Sequence, residues 1–241
     1  MKNCIFVLFA LPLLAQFGSP ANLAGTTQSS IISSIAFDEF GNVFAVWPQQ
    51  SATSGSTINI VASVYSGVTW STPVVLISSN KNSYPNISAM SGYAIAVWAQ
   101  ATTANVQGIF SSSFSSGSWS SGASTVIDSV TTVSNAYSQP KVAINVTNSG
   151  VFGVAVWTYN TGVNTQIQAS TYTSLEGWDN PTTISSTSTA INAFAPQIQI
   201  YKNNTAVATW SQTSGSSGYI QYSIYNPTTG LWTPSAAIPN Q

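Results

Sequence analysis

One phrase occurs four times along this chain. It reads VFAVWPQ from Val43 to Gln49, AIAVWAQ from Ala94 to Gln100, VAVWTY from Val154 to Tyr159 and AVATWSQ from Ala206 to Gln212. Its tryptophans, Trp47, Trp98, Trp157 and Trp210, recur roughly 50 to 60 residues apart, a period typical of stacked repeats. A second set, Trp70, Trp119, Trp178 and Trp232, keeps the same register, and together the two sets hold all 8 tryptophans. Between each pair lies Ile-x-x-Ser-x-aromatic: IVASVY (60–65), IFSSSF (109–114), IQASTY (167–172) and IQYSIY (220–225).

Each unit therefore holds four short runs rich in β-branched and aromatic residues, here called strands A to D, separated by Gly-, Asn- and Ser-containing turns. Four strands in about 50 residues, repeated four times, is the signature of propeller blades. The fold class expected is all-β: a β-propeller of four repeats, each a four-stranded antiparallel blade. The domain spans residues 22–241, with blades at about 31–80, 81–130, 131–187 and 188–241. The ring is a true four-bladed closure, a piece of a larger ring, or one that two copies complete as a homo-oligomer.

Strand B is apolar on both alternating faces, so both are expected to be covered by neighbouring blades, with the tryptophan wedged between. Burying one indole, ~200 Å², contributes up to about 5 kcal/mol. All eight tryptophans are expected to form the structural core of the repeat.

Charged residues make up only 4% of the chain, with no His. The four cations are Lys2, Lys81, Lys141 and Lys202, and the acids are Asp38, Glu39, Asp128, Glu176 and Asp179. Such a balance argues against nucleic acid as a partner. The apolar run Ile5–Leu14 is about half the length needed to span a bilayer. With Lys2 before it and Ser19-Pro20-Ala21 after it, it reads as a signal peptide, residues 1–21; the alternative is a retained N-terminal anchor. The expected location is secreted, cell-surface or periplasmic, with no membrane span. The single cysteine, Cys4, falls within the signal and leaves the remainder without a thiol.

The repeat AVWxQ…IxAS.Y..G.W..P..I resembles that of secreted bacterial propeller proteins with a VW…GW blade repeat, over almost all of residues 31–238. The layout is also similar to that of fucose-binding propeller lectins. That resemblance implies a sugar-gripping Arg on strand B and a Glu on strand C. Here the Arg positions hold Ala45, Ala96, Ala155 and Ala208, and the Glu positions hold Ala62, Ser111, Ala169 and Tyr222. Sialidase-like propellers are similar in layout too, but they clamp a carboxylate with arginines, and this chain has none.

The missing His and Cys remove imidazole and thiolate chemistry. A glycosidase carboxylate pair would have to come from Asp38 and Glu39 in an A–B turn and Glu176 and Asp179 in a C–D turn, and turn acids facing solvent are the simpler reading. For calcium, Asp38-Glu39 is a thin candidate. No catalytic residue, metal or cofactor is assigned, and the chain is not read as an enzyme.

The candidate ligand residues lie on the D–A linkers and B–C loops, which share one end of a propeller. They are Asn82 and Tyr84, Asn135 and Tyr137, and Asn192 and Phe194, with Gln49, Gln100 and Gln212 from the loop starts. Amides and aromatic faces without charge suit a neutral hydroxylated ligand. The function expected is a secreted, non-catalytic module recognising a glycan or cell-surface protein. The alternatives are a structural or assembly scaffold and, more remotely, a glycoside hydrolase.

Overall fold

The computed structural model describes residue 23 and residues 33–52, 57–79, 84–103, 106–120, 125–130 and 137–239. Residues 1–21, expected to be the signal peptide, lie outside the described residues, as do Asn82 and Asn135.

Four antiparallel sheets follow one another along the chain. Blade 1 is β1 (Ser34–Phe37), β2 (Val43–Gln50), β3 (Ile58–Tyr65) and β4 (Val74–Ser79). Blade 2 is β5 (Asn86–Met90), β6 (Tyr93–Thr103), β7 (Val106–Ser115), β8 (Ser118–Trp119) and β9 (Thr125–Val130). Blade 3 is β10 (Tyr137–Thr147), β11 (Gly150–Asn160), β12 (Thr165–Thr173), β13 (Gly177–Trp178) and β14 (Thr182–Thr183). Blade 4 is β15 (Ile191–Ile200), β16 (Ala206–Ser214), β17 (Ser217–Asn226), β18 (Leu231–Trp232) and β19 (Ala236–Ala237). The order A-B-C-D holds in every blade, and no helix occurs among the described residues. None is therefore long and apolar enough to cross a membrane.

Strand D is not one run. In blades 2 to 4 it splits into a tryptophan-bearing piece and a second piece, both paired to strand C. The repeated serine of strand C anchors the break. Ser63, Ser170 and Ser223 donate to the carbonyls of Ser71, Asp179 and Thr233 at 2.8, 2.7 and 2.7 Å, and the hydroxyls of Ser112 and Ser120 share a bond at 3.0 Å. In each blade the residue thus held follows the outer tryptophan. The aromatic ending each C strand packs on that tryptophan: Tyr65–Trp70, Phe114–Trp119, Tyr172–Trp178 and Tyr225–Trp232 have ring centroids 5.1 to 5.5 Å apart. The motif Ile-x-x-Ser-x-aromatic…Trp is thus a clasp for the outer strand.

The core lies between blades. Trp98 packs with Phe44, Val46, Ile60 and Ala62 of blade 1. Trp157 meets Ile95, Val97, Ile109 and Ile127 of blade 2. Trp210 meets Val154, Val156, Ile167 and Ala169 of blade 3. Trp47 clusters with Ala45 and Val61 of its own blade, and Leu23 packs against that cluster. Among the described strands, packing runs from blade 1 to 2, 2 to 3 and 3 to 4, with no comparable packing of blade 4 on blade 1. The array is open. The face of blade 4 that a following blade would cover leaves Val207 and Ile220 each 39% exposed, whereas their blade 3 counterparts, Val154 and Ile167, are fully buried.

Candidate functional site

The glutamines expected at a ligand face serve the core. Trp47 donates its indole N–H to Gln49 Oε1 at 3.1 Å, Trp98 to Gln100 at 3.0 Å and Trp210 to Gln212 at 3.4 Å. Residues two apart on a strand share a face, so W-x-Q places donor and acceptor side by side in the blade interface. All three glutamines are buried, and they lie within strands rather than in B–C loops. Blade 3 has Tyr159 at that position, and there Trp157 donates to Gln168, its cross-strand partner on β12, at 3.1 Å.

The D–A positions are largely strand as well. Asn192 and Phe194 belong to β15, paired with Thr213 and Ser211, not to a linker. Asn192 Oδ1 accepts from the Thr165 backbone N–H at 3.0 Å, tying blade 4 to the B–C turn of blade 3. Phe194 is 41% exposed and Tyr84 51% exposed. Tyr137 opens β10 opposite Tyr159. The described members of this group are not gathered around one cavity.

The acids are not simply solvated. Asp38 is buried and accepts from the backbone N–H groups of Phe40, Asn42 and Gly92 and from Asn42 Nδ2. Burial pushes its pKa up, but the bonds from Asn42, Gly92 and Phe40 outweigh this and hold the carboxyl below its ordinary value. Glu39 accepts from the hydroxyl and backbone N–H of Ser91, which lower its pKa too. This pair latches the A–B turn of blade 1 to that of blade 2. Asp179 is bonded by the Thr171 hydroxyl, and Glu176 sits in an exposed turn. Among the described residues no three metal-ligating side chains cluster.

A cavity of about 640 Å³ opens at the other end from the expected one, between the outer parts of blades 1 and 2. Asn42 and Gly92 reach it from A–B turns, and Ser66, Thr69, Gly117 and Ser118 from C–D turns. Val64, Val74, Phe114 and Trp119 give it apolar walls, and Ser71 and Thr72 add hydroxyls. No charged side chain lines it. A second cavity, about 540 Å³, lies where the four A strands converge. Lys141 is its only charged lining residue, and no carboxylate reaches it.

The wall between the pocket and the core holds an unmet donor. Trp119 Nε1 is buried and has no hydrogen-bond partner. One junction further on, Trp178 Nε1 donates to Ser111 Oγ of blade 2 at 2.9 Å. The position equivalent to Ser111 in blade 1 is Ala62, which packs in the same cluster as Trp119. The sequence signals for this site were the departures of units one and two from the repeat, at Asn42, Val64 and Phe114.

No family model and no curated protein sequence matches this chain. Solved structures do share its fold. A protein of unknown function from Dyadobacter fermentans superposes with a TM-score of 0.60 at 9% identity, over 89% of this chain and 70% of that one. The alpha-L-arabinanase of Penicillium chrysogenum, complexed with arabinobiose, gives 0.55 at 9% identity, over 87% and 66%. The Aleuria aurantia lectin, in complex with alpha-methyl-L-fucoside, gives 0.54 at 15% identity, over 86% and 60%. The chain thus spans less than two thirds of the length of the latter two. At such identities the likeness is one of fold, and the fold is a β-propeller.

Proposed function

We propose that this chain is an exported, non-catalytic module that binds a neutral carbohydrate between blades 1 and 2. The observation that carries this reading is the composition of the pocket: hydroxyls and an amide around aromatic and aliphatic walls, with no charge. A sugar offers the same mixture, with hydroxyls for hydrogen bonding and C–H faces for rings to stack on. The volume falls within the range of small-ligand sites. Propellers solved with arabinobiose and with a fucoside support the choice of ligand class without deciding it. Two facts favour a non-catalytic role. Glycoside hydrolysis needs two carboxylates about 5 to 9 Å apart across the substrate. No carboxylate lines either large cavity, and Asp38, Glu39 and Asp179 are engaged by hydrogen bonds.

A glycan array, followed by calorimetry with alpha-methyl-L-fucoside and arabinobiose, tests the proposal. Binding of a neutral sugar that Phe114→Ala abolishes, without product release, supports it. Absence of binding across the array rejects it.

The open face of blade 4 favours a second reading, an assembly unit. Val207, Thr209, Ile220, Tyr222 and Ile224 share one sheet face, on which Val207 and Ile220 are each 39% exposed among the described residues. Sedimentation showing a mass that rises with concentration, and that Ile220→Lys returns to one chain, supports that role.

A further inference from the structure

We infer that this chain carries one sugar site rather than one at every blade junction, and that Asn42, Val64 and Phe114 are the residues that open it; this rests on the binding reading above. Three junctions repeat the same geometry, so equivalent positions can be compared directly. Five residues before the strand B tryptophan stand Asn42, Tyr93 and Phe152 in blades 1, 2 and 3. Each faces the aromatic that ends strand C of the following blade: Phe114, Tyr172 and Tyr225.

Junction 3/4 is closed. Phe152 stacks on Tyr225 with ring centroids 5.8 Å apart, and the Tyr225 hydroxyl lies beside Thr171 across the junction. Junction 2/3 is nearly so. Tyr93, Tyr172 and Ser113 line a cavity of only about 150 Å³, and Ser111 takes the Trp178 N–H. At junction 1/2 the facing ring five residues before the tryptophan is missing, and Phe114 packs edge-on against Phe44, deeper in the wall, with ring centroids 5.1 Å apart. Asn42 replaces the ring and turns its Nδ2 to Asp38. Val64 and Phe114 replace the hydroxyl-bearing Ser113–Tyr172 and Thr171–Tyr225 pairs. The result is the cavity of about 640 Å³, roughly the size that encloses a small ligand, against about 150 Å³ at junction 2/3 and a stacked ring pair at junction 3/4.

The inference concerns valence and is tested by stoichiometry. Alpha-methyl-L-fucoside and arabinobiose are titrated into the purified chain by calorimetry. The expected result is saturation at one sugar per chain. Ser66→Trp, at an exposed turn on the pocket rim and away from the Asn42–Asp38 bonds, is expected to weaken affinity at least tenfold with unchanged circular dichroism. The triple variant Phe152→Asn, Thr171→Val, Tyr225→Phe copies the open lining into junction 3/4 and is expected to bring stoichiometry toward two. Saturation at two or three sugars in the parent chain overturns the inference while leaving the binding reading intact. So does a folded triple variant still saturating at one, whereas unchanged affinity in Ser66→Trp overturns both the inference and the placing of the sugar between blades 1 and 2. No heat with either sugar, and none across the array, rejects the binding reading itself.

Discussion

The indole N–H of Trp98 donates to Gln100 Oε1 at 3.0 Å, and both side chains are buried between blades 1 and 2. The bond lets a large polar-tipped ring enter an otherwise apolar wall, because a buried donor left without a partner costs about 1–3 kcal/mol. Gln100→Leu is therefore expected to lower stability by about that amount in urea unfolding. Tyr159→Gln in blade 3 is expected to change little, because Gln168 already serves Trp157.

Trp119 tests the same rule from the other side. Its N–H is buried without a partner, and Ala62 occupies the place from which Ser111 serves Trp178. Ala62→Ser is expected to raise stability by about 1 kcal/mol, the net contribution of one new hydrogen bond. A loss of stability on that substitution would show that the wall has no room for the hydroxyl.

The latch between the first two A–B turns makes stability depend on acid. Asp38 and Glu39 both have folded pKa values below their ordinary 3.8 and 4.5. A carboxyl with a depressed folded pKa contributes stability above its unfolded value and loses it as pH falls through the folded one. The melting temperature is therefore expected to hold steady above about pH 5 and to fall at lower pH. Asp38→Asn with Glu39→Gln should flatten that fall, and an unchanged acid profile in the double variant would contradict the latch.

Junction 3/4 relies on the stacked pair Phe152–Tyr225. Phe152→Ala removes a buried ring and is expected to cost about 3–5 kcal/mol, read from chemical unfolding. Phe194→Ala, at a ring already 41% exposed, is expected to cost far less.

The propeller was legible because each blade solves the same packing problem with the same residues. Trp47, Trp98, Trp157 and Trp210 mark strand B, and Ser63, Ser112, Ser170 and Ser223 mark the clasp on strand C. The break in strand D was not legible, since Ser71, Ser120, Asp179 and Thr233 share only a side-chain oxygen. Repetition also misdirected the search for a site. Gln49, Gln100 and Gln212 recur because the indoles recur, and their amides point into the blade interface. The pocket lies where the repeat fails. Asn42, Val64 and Phe114 are unremarkable singly, and they acquire meaning only when units one and two are laid over units three and four.

Trp119 lines the pocket, whereas Trp98, Trp157 and Trp210 are sealed in the core, so the indole N–H signals of the chain report directly on where a sugar sits. The decisive measurement is a nitrogen–proton correlation spectrum followed while arabinobiose or alpha-methyl-L-fucoside is added. The account predicts that the Trp119 indole signal moves in a saturable way while those of Trp98, Trp157 and Trp210 stay in place. A saturable shift that spares Trp119 and falls instead on Phe194 and Tyr84, at the opposite end of the blades, would contradict it.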